Sequence, residues 1–250
     1  MPKIVIQISA ILFLLSNQVV LAGGGNYVCG ISDGFPPYQY KSLQGLADGF
    51  DAAVLKLISN TTDDKFSFYQ SNWDNVVSDL VHTSKLDCAV GMEITDIRAQ
   101  YFDFTVPYYY RHTAVFVLST NIHIKSFADL VGNKVAGDRH SDLEKRLELE
   151  GVKDLIRLRQ TDSKEESMNL LKSGEVTAVI APKEVGLYLA KKLNVNVSII
   201  EELKQGSPVG IAVKKGNTQT LNILNKALKQ LIQNGDIDKF YRQWFAQAMR

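Results

Sequence analysis

The chain has 250 residues, of which 45% are hydrophobic and 22% charged, with 28 Lys and Arg against 27 Asp and Glu. That balance excludes an intrinsically disordered chain and fits one large or two small domains. With no basic surplus and no run of Lys or Arg, there is no long-range field for nucleic acid or an anionic membrane surface, and both are set aside as partners.

The first segment addresses the compartment. Met1 to Lys3 make a short positive start, Ile4 to Leu15 an apolar run, and Ser16 to Gln18 break it before the small-residue ending Val20-Leu21-Ala22. A membrane-spanning helix needs about 20 apolar residues, so 1–22 read as a cleaved signal peptide, with an uncleaved anchor as the alternative. No cysteine follows the expected cut, which removes the usual lipid-attachment pattern. The mature chain, 23–250, is expected to be soluble.

Beyond it, strands alternate with helices. Strands are expected at Tyr27 to Ile31, Lys65 to Tyr69 and Leu86 to Val90, with helices at Phe50 to Ile58 and Asn75 to Val81. A Gly/Pro loop runs through Gly34, Pro36 and Pro37, and a short helix from Thr95 leads into Tyr101 to Thr105. A strand at Ala114 to Leu118 follows, then strand Lys134 to Ala136, helix Asp142 to Leu149, strand Leu155 to Leu158, helix Lys164 to Leu171 and strand Val176 to Ile180. Helix Glu184 to Leu193, strand Val197 to Ile200, a break at Gly206-Ser207-Pro208, strand Gly210 to Val213 and a helical region Thr218 to Phe245 close the chain. This alternation predicts an α/β protein with mostly parallel sheets. Two such blocks with a C-terminal return predict two lobes, the chain crossing between them near Tyr110 and near Val209. Cys29 and Cys88 both fall in apolar strand-like runs, where they either bridge neighbouring strands or remain buried thiols.

Three local patterns bear on chemistry. Gly91 to Arg98, Gly-Met-Glu-Ile-Thr-Asp-Ile-Arg, sits at a strand-to-helix turn. There Thr95 can cap, Gly91 lets backbone approach a ligand, and Arg98 can bind a carboxylate through two parallel hydrogen bonds. An exposed surface arginine is the alternative. Phe35 and Trp73, each in a loop after a strand, can form two flat walls for a ligand side chain, or else cap the core edge. Gly30-Ile31-Ser32-Asp33-Gly34 matches a nucleophile elbow, but Phe35-Pro36-Pro37 follows where a helix is required. The four histidines, at 82, 112, 123 and 140, show no i, i+4 pairing, so no metal site and no cofactor is expected.

Around these residues the chain resembles the bacterial extracellular solute-binding proteins of family 3, the periplasmic receptors for polar amino-acid ABC transporters. The carriers of the resemblance are Pro36-Pro37-Tyr38, Gly49-Phe50-Asp51, Trp73-Asp74, the Gly91 to Arg98 segment and Phe102-Asp103-Phe104-Thr105 with Pro107-Tyr108-Tyr109, together with Leu130 to Val135 and Phe240 to Phe245. It implies a two-lobed periplasmic-binding-protein type II fold that closes on its ligand by hinge motion. The implied lobes are 23–110 plus 210–250 and 111–209. The implied ligand-binding set is Ser32, Phe35, Trp73, Gly91, Glu93, Arg98, Ser141 and Asp142, with no catalytic residue. In it Arg98 holds the ligand α-carboxylate, helped by Gly91 and the helix start at Ser141, and Phe35 and Trp73 enclose the side chain. The wording is closest to arginine-binding members, which casts Glu93 as an acceptor for a cationic side chain. The implied partners are a polar or basic amino acid such as arginine and an inner-membrane ABC permease, for a monomer in the periplasm.

Two departures stand out. Where family members carry an aspartate that grips the ligand α-ammonium, this chain reads Ala181-Pro182-Lys183, leaving Glu184 or Asp142 as candidate substitutes. The expected Gly-Thr-Thr helix start is His140-Ser141-Asp142. Other roles on this fold are a secreted enzyme resembling cyclohexadienyl dehydratase, with Glu93 or Glu184 as general acid, and a ligand sensor for a membrane signalling partner.

Overall fold

A computed structural model describes residues 24–138, 148, 151, 153–202 and 205–248. The expected signal peptide and nearly all of the expected helix from Asp142 to Leu149 lie outside the described residues.

Two mixed sheets organise the chain. The first contains β1 (Asn26–Ser32), β5 (Lys65–Ser71), β6 (Cys88–Glu93), β7 (Phe102–Phe104), β8 (Tyr109–Arg111) and β14 (Ser207–Lys214). Its order is β5-β1-β6-β14-β7, with β8 also on β14. The second contains β9 (Thr113–Leu118), β10 (Lys134–Asp138), β11 (Arg157–Thr161), β12 (Ala178–Pro182) and β13 (Val197–Glu202), in the order β11-β10-β12-β9-β13.

In each sheet three strands run parallel, β5-β1-β6 and β11-β10-β12. The other strands run antiparallel: β14 against β6, β7 and β8, and β9 against β12 and β13. Parallel strands follow from helical crossovers, whereas the strands that carry the chain between sheets enter from the opposite end. The chain leaves the first sheet at Arg111 and enters the second at Thr113, with His112 alone between them, and returns through 203–206.

The helices cover the sheets with apolar faces. In α1 (Phe50–Asn60) the buried positions Phe50, Val54, Leu55 and Ile58 recur at helical spacing. α2 (Trp73–His82) follows β5, capped by Asn72, whose side chain accepts from the Asn75 N–H. α3 (Lys164–Ser173) and α4 (Lys183–Lys192) flank β12, whose five residues are all buried, as expected of a strand covered on both faces. α5 (Thr218–Gln233) and α6 (Asp236–Ala248) divide the region expected as one helical stretch, with Gly235 at φ 76° between them. Helix α6 returns to the first sheet's side, where Phe240, Tyr241 and Phe245 ring-pack on Phe50.

The cysteines form a disulfide. Cys29 of β1 and Cys88 of β6 are directly paired in register with Cα atoms 4.6 Å apart. Cross-linking positions 59 residues apart stabilises by about 4 kcal/mol in the chain-entropy account.

Several local expectations change. The Gly/Pro stretch holds a small antiparallel sheet of β2 (Gly34–Phe35), β3 (Gln39–Lys41) and β4 (Ala47–Asp48). Strand β6 runs through Gly91 to Glu93 instead of stopping at Val90, and β14 absorbs Ser207 and Pro208. The helix expected from Thr95 is a single three-residue 3-10 turn, Arg98–Gln100. Too short to carry a useful macrodipole, it leaves any carboxylate affinity there to the Arg98 guanidinium itself.

Candidate ligand-binding cleft

The carboxyl ends of β1, β5 and β6 in the first sheet and of β11 and β12 in the second face one cavity of about 480 Å³. In open α/β sheets this is the edge where loops and ligands gather. Ser32 ends β1, Trp73 follows β5, and Gly91 and Glu93 end β6. From the second sheet come Asp162, Ser163 and Lys164 after β11, and Ala181 and Pro182 at the end of β12. Of the expected set, Ser32, Phe35, Trp73, Gly91, Glu93 and Arg98 line the cavity. Ser141 and Asp142 lie outside the described residues.

Arg98 reaches the cavity from the 3-10 turn. Its backbone N–H donates to Thr95 Oγ1 at 3.3 Å, but the turn's N-cap position is Ile97, without a side-chain cap, and not the expected Thr95; its Nη1 donates to the Glu93 carbonyl at 3.0 Å. The guanidinium lies 3.9 Å from Glu93 Oε2, with its side chain 28% exposed. A partly exposed guanidinium lining the cavity suits a planar anion.

Gly91 has φ +70°, and a Cβ there would collide with Asp51 Oδ2 and Gln39 Nε2. Glycine is thus required by the side chains packed behind the strand, a demand separate from ligand approach.

Those side chains belong to a buried polar cluster centred on Arg111, which the sequence reading did not single out. Arg111 Nη2 donates to the Gly91 carbonyl at 2.9 Å, to Asp51 Oδ2 at 3.4 Å and to the Tyr109 hydroxyl. Its Nη1 lies 4.0 Å from Glu93 Oε1, and its buried Nε has no hydrogen-bond partner among the described residues. Asp51, fully buried, also accepts from Tyr108 at 2.6 Å and Gln39 at 2.7 Å. Burial pushes the Asp51 carboxyl up, opposed first by Arg111 and then by the Tyr108, Gln39 and Tyr109 hydrogen bonds. For Arg111 burial pulls down, but Tyr109, Asp51 and Glu93 together outweigh it and hold the guanidinium above its ordinary range. The sequence signal was an arginine between three tyrosines and an apolar strand, which reads as a lobe boundary until the neighbours of β8 are known.

The aromatic wall also differs from expectation. Phe35 and Trp73 both line the cavity, but Phe35 is flanked by the chain's own cations. The Arg111 Cζ lies 4.8 Å from its ring centroid and the Lys164 Nζ 5.0 Å. Behind it, Tyr38 stacks at 5.8 Å.

Glu184, a candidate for the missing aspartate, is not among the lining residues. It accepts from the Tyr38 hydroxyl at 2.9 Å and the Tyr241 hydroxyl at 3.5 Å, tying α4 to the first sheet's side. No helix among the described residues is long and apolar enough to cross a membrane, and no group of three or more His, Cys, Asp or Glu among them could hold a metal ion.

Comparison with known proteins bears on this geometry. Residues 27–247 match the family described as bacterial extracellular solute-binding proteins, family 3. The chain is 24% identical over 225 residues to the L-cystine-binding protein TcyJ of Escherichia coli (strain K12), spanning 88% of this chain and 83% of that one. It is 26% identical to the ABC transporter arginine-binding protein 1 of the same strain, over 87% and 90% of the two chains. An ancestral arginine-binding protein solved with arginine bound superposes with a TM-score of 0.77 at 34% identity, covering 89% of this chain and 99% of that one.

Proposed function

The chain belongs to the bacterial extracellular solute-binding proteins, family 3, and on that footing we propose that it captures a small polar or charged amino acid for an ABC importer. In this reading residues 1–22 direct export and are removed, and the mature protein works as a monomer in the periplasm, handing its ligand to an inner-membrane permease. The first sheet, with α1, α2, α5 and α6, forms one lobe and the second sheet the other. The hinges fall at His112 and between β13 and β14, where sheet membership changes. Closure brings the carboxyl ends of both parallel trios onto the ligand.

The observation that carries the reading is Arg98: a partly exposed guanidinium at the strand edge of the first sheet, opening into a cavity walled by the second. A ligand α-carboxylate there would make two parallel charge-assisted hydrogen bonds in a water-poor cleft. Turnover is not part of the reading: the two carboxylates considered as general acids are engaged otherwise, Glu184 by two tyrosines and Glu93 by two arginines.

Isothermal titration of refolded mature protein with a panel of amino acids tests it. At least one should bind, and Arg98→Ala should weaken that ligand by roughly 2 to 5 kcal/mol, the scale of a lost buried charge pair. Unchanged binding in Arg98→Ala would end the assignment.

A further inference from the structure

Granting the reading that Arg98 takes the ligand α-carboxylate, the far end of the cleft remains to be assigned, and three observations converge on it. The ring of Phe35, one of the two aromatic side chains lining the cavity, already has cations against it: Arg111, with its Cζ at 4.8 Å, and Lys164 from across the cleft, with its Nζ at 5.0 Å. Lys164 is the first residue of α3, on the second sheet's side, so its contact with Phe35 spans the cleft. Glu93, the acceptor that a cationic side chain would need, lies between two guanidiniums, 3.9 Å from Arg98 and 4.0 Å from Arg111. The other carboxylates lining the cavity, Asp33, Asp74 and Asp162, are on exposed residues at its mouth. There water screens them and weakens their hold on a ligand charge.

We propose that Lys164 is a specificity-determining residue that sets the charge preference of this end of the cleft. Its ammonium holds the position over Phe35 that a cationic ligand side chain would take, and it repels a second cation brought to the same ring. The side chain that fits ends in a hydrogen-bond acceptor, a carboxylate or carboxamide, which the Lys164 ammonium can donate to directly. The cleft therefore ranks glutamate and glutamine above arginine and lysine. Family resemblance alone does not reveal this preference, because it rests on two side chains that meet only when the second sheet faces the first.

The test is titration calorimetry of the mature protein, unfolded and refolded to strip carried-over ligand, with L-glutamate, L-glutamine, L-arginine and L-lysine. Wild type is expected to bind the acceptor-ended pair at least about tenfold tighter than the cationic pair, the scale of one desolvated charge contact. Lys164→Glu should invert the order, and Lys164→Met, which keeps an unbranched apolar stem, should narrow it. Circular dichroism melts of both variants confirm that they fold. Arg98→Ala should weaken all four ligands together. If wild type prefers arginine, or if Lys164→Glu leaves the ratio of arginine to glutamate affinity unchanged while Arg98→Ala still abolishes binding, the Lys164 proposal is wrong and the cleft reading stands. If Arg98→Ala binds as wild type does, the cleft reading itself fails.

Discussion

The two walls of the cleft are built on different principles. The first-sheet wall rests on a buried polar cluster: Arg111, Asp51, Gln39, Tyr108 and Tyr109 bond one another and the Gly91 carbonyl beneath the strand ends. The wall opposite ends in Ala181 and Pro182, buried and apolar, and in exposed Ser163 and half-buried Lys164 at a helix start. A densely bonded buried network holds its members in one arrangement, whereas a half-buried lysine at a helix start lies outside that core. On the proposed reading, one side anchors the ligand rigidly and the other selects it.

The sharpest way to break the first wall is Arg111→Leu. It leaves the Asp51 carboxylate buried without its cation, so unfolding free energy should fall by roughly 3 to 5 kcal/mol in urea titration, far beyond an ordinary surface change. A drop under about 1 kcal/mol would mean that the cluster is not the anchor described. Next in size, Gly91→Ala should cost about 1 to 3 kcal/mol, since the new Cβ meets Asp51 and Gln39 at a positive φ. It should weaken ligand binding as well, and a melting curve matching wild type would show that the strand end yields easily. The smallest effect sharpens the second wall. Pro182 occupies the N-cap of α4 with no side-chain hydrogen bond, so Pro182→Asp should stabilise the helix start by about 1 kcal/mol. It should also tighten amino acids through their α-ammonium while leaving ammonium-free carboxylates unimproved, a contrast read by calorimetry.

Much of the first wall was legible because its residues lie at strand ends, and apolar runs followed by Gly, Trp or Ser mark those ends in sequence. The strand starts at Lys65 and Val197 and the helix start at Phe50 also agree with the pattern, because each run is long enough to fix its own period. The second wall was less so. Lys164 read simply as a helix start, since its meeting with Phe35 depends on how the sheets face each other. Arg111 escaped because local sequence cannot say that Asp51, sixty residues earlier, waits beneath it. The hairpin sheet over Gly34 to Asp48 was hidden by Gly and Pro, which mark turns without revealing that the flanking residues pair. The disulfide stayed open for a similar reason: two cysteines in two strands bond only if register sets them opposite, and register here is tertiary.

His112 is the whole of one passage between the sheets. A single residue supplies two soft dihedrals and no slack, so the halves cannot slide past one another or drift apart there; they can only swivel. The strand on one side of that pivot ends in Arg111, under the ligand floor, and the strand on the other begins at Thr113, in the ligand wall. On the proposed reading this joint is a hinge that sits against the cavity, so a small turn there is felt first where a solute would rest.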